Sequence, residues 1–172
     1  MSRSPYFFLE KYNRNTKAYE EVAPFVRDNE NVELFPFNGA HEMFSILAND
    51  GIYPHMNGIH RGLPEDVTDG IVNALIRDED VFADNDIDSK DLPRLLEERE
   101  QDVRWFTYAD MEIYLLKNPT VSDYNEFTET SIEVENPLNF LKKRVDAFLE
   151  VWDTWGDWVD ELSLIRIIYW IW

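Results

Sequence analysis

Asp84-Asn85-Asp86-Ile87-Asp88 places oxygen-bearing side chains at alternate positions, as a calcium-binding loop does at its first, third and fifth places. The match then ends. Ser89 stands where such a loop needs glycine, and Leu95 where it needs a bidentate glutamate. The plainer reading is a solvated acidic loop that caps the helix after it. His41, His55 and His60 are the only histidines and fall within twenty residues. Three imidazoles can hold a catalytic zinc, but His41-Glu42 has no second histidine four residues after the first, so the zinc-hydrolase helix pattern is absent. We expect no metal and no cofactor, and keep a metal-dependent enzyme using these three histidines as a third reading.

Nucleophilic chemistry has little to stand on. The chain has no cysteine, which removes thiolate nucleophiles, thiolate metal sites and disulfides together. There is no Gly-x-Ser-x-Gly elbow. Gly58-Ile-His-Arg-Gly62 lacks both the spacing and the lysine of a phosphate loop. Carboxylates are so numerous that selecting one pair for general acid–base work is arbitrary. The expectation is a protein without enzymatic activity.

Charge is the dominant feature. Thirty-five acidic residues face sixteen basic ones, a formal net charge of −19 on 172 residues. A polyanion repels nucleic acid and anionic membrane, and favours basic partners. Between Glu65 and Asp102 there are fourteen acidic and four basic residues, a local net of −10. Carboxylates at helical spacing can stand in for duplex phosphates, which supply about one charge per 1.7 Å of axis. This makes Asp78, Glu79, Asp80, Asp84, Asp86, Asp88, Asp91, Glu97 and Glu98 candidate partner-binding residues, steering encounter with a nucleic-acid-binding protein. Solubility alone is the simpler account of the same charge. Aromatic residues make up 15% of the chain in acidic neighbourhoods. Stacking platforms for bases pair aromatics with Lys and Arg, so core packing is the better reading here.

Apolar content of 44% supports a folded core, and the length suits one domain, residues 1–172. Tyr6 to Tyr12 and Tyr19 to Ala23 read as a hairpin around Asn13-Arg-Asn-Thr16, with a third strand at Asn31 to Phe35. Helices are expected over 40–48, from Pro64 through Leu75, over 89–102, over 107–117, and from Pro137 to Leu162. Residues 119–136 read as a polar surface loop with one short strand at Ser131 to Val134. Ile165 to Trp172 reads as a strand that joins the N-terminal sheet. The whole is α+β: a small, mostly antiparallel sheet of N-terminal strands and the C-terminal strand, with about five helices between.

The last helix carries a three-four stripe, Leu138, Leu141, Val145, Phe148, Trp152, Trp155, Val159 and Leu162. Such a stripe ordinarily faces the helix's own core. A homodimer seam through Trp152 and Trp155 is the second functional reading. The apolar run at the N-terminus is too short for a signal peptide. Ile167 to Trp172 cannot span a bilayer, which needs about 20 helical residues. A cytoplasmic protein is expected.

Pro5-Tyr-Phe-Phe-Leu-Glu-Lys-Tyr-Asn13, Asp91-Leu-Pro-Arg-Leu-Leu-Glu-Glu-Arg99 and Ile165-Arg-Ile-Ile-Tyr-Trp-Ile-Trp172 resemble a loose group of small acidic proteins of bacteriophages and prophages. The apolar Ile-Trp ending departs from the polar ending expected of that group. The resemblance implies only a viral accessory protein, a setting in which inhibitors of host enzymes and defence systems are common, and carries no functional residue across. Together with the charge it leads to the expectation of a protein that binds and inhibits a host protein in the host cytoplasm.

Overall fold

The computed structural model describes residues 6–21, 41–76, 93–94, 97–98, 101–153 and 165–170. In chain order these form β1 (Tyr6–Asn13), β2 (Ala18–Glu21), α1 (His41–Ala48), β3 (His60–Arg61), α2 (Asp69–Ile76), β4 (Val103–Thr107), α3 (Tyr108–Lys117), β5 (Thr120–Asn125), β6 (Thr130–Glu135), α4 (Leu138–Asp153) and β7 (Ile165–Trp170). Five strands make one sheet in the order β2-β1-β7-β4-β3, with every neighbouring pair antiparallel. The α+β class and the union of both chain ends in one sheet are as expected. Among the described residues there are four α-helices rather than about five.

The C-terminal strand is the middle of the sheet. β7 pairs β1 on one side (Leu9 opposite Ile167) and β4 on the other (Phe106 opposite Ile167). Side chains alternate faces along a strand, and both faces of β7 are covered. Phe7, Leu9, Phe106, Ile165, Ile167 and Tyr169 pack against α1, α3 and the first half of α4. Val103, Ile168 and Trp170 pack against Ile71 and Leu75 of α2. All six residues of β7 are therefore buried, which removes the edge-pairing hazard of an apolar strand.

Three expectations need correction. Val103–Thr107 is a strand, not the junction of two helices. Thr107 is instead the cap of α3: its hydroxyl accepts from the Asp110 N–H at 3.1 Å while the Asp110 carboxylate accepts from the Thr107 N–H at 3.0 Å. Gly58 lies against this box with φ +91°, and a Cβ there would come within 2.6 Å of Asp110 Cγ. Residues 119–136 are a second hairpin, β5–β6, rather than a loop with one strand. α2 begins at Asp69 because residues 64–68 form turns first, with the Val67 N–H on the Pro64 carbonyl. The expected strand at 31–35, most of the expected helix at 89–102 and the stripe beyond residue 153 lie outside the described residues.

The helices dock through polar as well as apolar contacts. The last carbonyls of α1 have no partner within the helix. Arg104 Nη1 donates to the carbonyls of Leu47 and Ala48 at 3.2 and 2.8 Å, and the Tyr169 hydroxyl donates to Leu47 at 2.7 Å. A cation at a helix C-terminus is favourable by about 0.3–1 kcal/mol. No helix among the described residues is long and apolar enough to cross a membrane.

Candidate functional site

Of the nine carboxylates expected to bind a partner, Asp78, Glu79, Asp80, Asp84, Asp86, Asp88 and Asp91 lie outside the described residues. Glu97 and Glu98 are exposed and helical. Trp152 belongs to α4, and Trp155 lies outside the described residues. His55 is exposed in the loop after α1, and His60 is exposed on β3 with its ring stacked on Trp105 at 4.2 Å. Among the described residues no group of three or more His, Asp or Glu is placed to hold a metal ion.

One arginine and one glutamate are buried together in the sheet. Arg166 is 3% exposed and Glu10 0%. They sit opposite each other on β7 and β1, and Arg166 Nε donates to Glu10 Oε2. Its Nη1 donates to Asp66 Oδ1 at 2.6 Å and its Nη2 to the Asp66 carbonyl at 3.0 Å. The guanidinium lies 3.5 Å from the centre of the Tyr19 ring. The second Glu10 oxygen accepts from the Thr68 N–H at 2.7 Å. One buried ion pair thus ties both ends of the chain to the turn before α2. Sequence reading missed it because the partners are 156 residues apart and neither has a local signature.

A second cluster joins α3 to α4. The Tyr108 hydroxyl and Lys142 Nζ both donate to Asp146, the lysine at 2.8 Å. Burial and the bond to Asp146 push the Tyr108 phenol up to about 12. Burial lowers the Lys142 ammonium, but its bonds to Asp146 and Tyr108 outweigh this and raise it. The arrangement holds a neutral phenol and a charged amine in place, the opposite of an activated nucleophile or base. A phenol whose folded pKa is raised contributes stability that is intact below its unfolded pKa of 10.0 and lost as pH climbs toward the folded value. The unfolding midpoint should stay level up to about pH 10 and fall between pH 10 and about 12, with a shallower fall in Tyr108→Phe. Thermal unfolding followed from pH 8 to pH 12 checks this. Burial raises Tyr169, Tyr114 and Tyr19 in the same direction.

The surface that stands out is the β5–β6 hairpin. Its root is clamped by Asn136, which is 1% exposed. The Asn136 side-chain amide donates to the Asn118 carbonyl at 2.8 Å, its backbone N–H to Pro119 at 3.1 Å, and its Oδ1 accepts from the Leu138 N–H at 3.0 Å. One asparagine therefore fixes the hairpin base and caps α4. Beyond Val121 the hairpin leaves the core: Tyr124 and Ile132 are exposed on opposite faces, and Phe127 is 100% exposed in the turn. Residues 120–135 contain five carboxylates and no lysine or arginine. Six of the seven exposed large apolar side chains among the described residues fall between Ile113 and Phe140.

No protein-family model, no curated protein and no solved structure matches this chain.

Proposed function

We propose that this chain is a non-enzymatic accessory protein of bacteriophage type that binds a basic host protein and inhibits it, its carboxylates standing where nucleic-acid phosphates otherwise bind. The observation that supports this reading is the excess of acidic charge. The net is −19, and Glu65, Glu97, Glu98, Glu126 and Glu129 are exposed. The face they offer to solvent is acidic on balance. Such a face accelerates encounter with a basic groove and weakens as salt screens it.

The test is affinity capture of host proteins on the immobilised chain, eluted along a salt gradient. A stoichiometric nucleic-acid-binding protein that leaves as salt rises is the expected result. Reversing Asp84, Asp86, Asp88 and Asp91 to lysine should abolish its retention. Undiminished retention by that variant would remove the charge-mimicry reading, and no retained protein at low salt would remove the inhibitor reading.

A further inference from the structure

Phe127 is not required by the turn that carries it. The two hairpins are built on one loop plan. In the first, Asn13 Oδ1 accepts from the N–H groups of Asn15 and Thr16 at 2.9 and 3.3 Å, and Lys17 closes the turn at φ 56°. In the second, Asn125 Oδ1 accepts from Phe127 and Thr128 at 2.9 and 3.3 Å, and Glu129 closes it at φ 51°. Asn15 occupies in one loop the place of Phe127 in the other, so the backbone asks for no aromatic residue there. An apolar ring left wholly in water does nothing for the fold either.

We infer that the β5–β6 hairpin is a docking element for a basic protein surface with an apolar cleft. Phe127 enters the cleft, Tyr124 and Ile132 line its walls, and Asp123, Glu126 and Glu129 meet a rim of lysine and arginine. This rests on the protein-binding reading above and adds to its acidic stretch a second contact at residues 123–132. Aromatic anchors within a ring of charge are the usual distribution of interface energy. Charge selects the occupant. The hairpin is uniformly acidic, and a second copy of a chain with net charge −19 would bring like charge against like. The Asn136 clamp holds the hairpin root before any partner arrives, which lowers the ordering cost of binding.

The probe is a displayed library of small three-helix domains, one face randomised, selected on the immobilised full-length chain. The expected binders carry a net positive face with apolar residues at its centre. Their affinity should fall about tenfold or more for Phe127→Ser and for the triple variant Asp123→Lys/Glu126→Lys/Glu129→Lys. Phe127 is fully exposed, so Phe127→Ser should keep the parent's circular dichroism and unfolding midpoint. Basic binders indifferent to Phe127 but lost with Glu97→Lys/Glu98→Lys overturn the hairpin assignment and leave the protein-binding reading standing. Binders without basic bias overturn the choice of partner, as does Phe127-dependent self-association in sedimentation. An empty selection overturns both readings.

Discussion

Arg166→Met is expected to destabilise the fold by about 3–5 kcal/mol, the usual cost of breaking a buried ion pair from one side. The substitution keeps most of the side-chain volume, so the loss is electrostatic. Glu10 is left at 0% exposure with a single described donor, the Thr68 N–H. Asp66, whose side chain is 62% exposed, can return to water and adds little. Glu10→Leu alone strands the guanidinium in the same way, although Asp66 and the Tyr19 ring retain part of its company. The double variant Glu10→Leu/Arg166→Met removes both charges together and should recover much of the loss, because the pair's attraction only roughly offsets its desolvation. Urea unfolding of the four proteins gives the coupling directly. A single-variant loss under about 1 kcal/mol would mean that water reaches the pair.

The pair also bears on specificity. In β7 a one-residue slip would turn Arg166 into the apolar layer with Phe106 and Leu9, and would turn Ile165 and Ile167 onto the face of Glu10. An all-apolar strand would accept either register. The charge in its second position accepts one.

How much of this was legible in the sequence depends on where the signal resides. The first hairpin carries its own turn chemistry in Asn13-Arg-Asn-Thr16 and aromatic strands on either side, and it is observed as β1–β2. α1, α3 and the start of α4 announce themselves through spacing, Asn-Asp-Gly and Asn-Pro stops, and a proline start. β4 did not, because Val103-Arg-Trp-Phe-Thr107 has only two buried residues and no turn signal on either flank. The second hairpin hid for the opposite reason: just Val121 of β5 is buried and none of β6, so there is no apolar face for a period of two to mark. Its Asn125-x-x-Thr128 repeats the first turn's pattern and was the available clue. The candidate surface was least legible. Phe127 reads as an ordinary core aromatic until its exposure is known, and the ionic tie between Glu10 and Arg166 exists only once the two ends of the chain pair.

The residues of the two hairpin-bearing regions should separate cleanly under truncation. Ile167→Ala and Ile168→Ala are each expected to cost about 2–5 kcal/mol, combining lost burial with the cavity left behind. Both are 0% exposed, but they serve different layers: Ile167 the one shared with α1, α3 and α4, Ile168 the one under α2. They are adjacent on one strand, so a coupling of about 0.5–3 kcal/mol accompanies the sum of their effects. The sum takes most of the about 5–15 kcal/mol that holds a domain of this kind together, so the double variant should be largely unfolded in water. Ile132→Ala offers the contrast. That isoleucine is also in a strand, but it is exposed and opposes Asp123 across the hairpin. Its loss should change stability by no more than about 0.5 kcal/mol. Urea unfolding midpoints of the four variants decide the matter. A large loss at Ile132 would mean that the hairpin's apolar residues serve folding, and would take from the docking proposal its main premise. A negligible loss there, beside large ones at Ile167 and Ile168, leaves an apolar β-branched residue kept in water for a reason outside the fold, which is the position a partner-binding residue occupies.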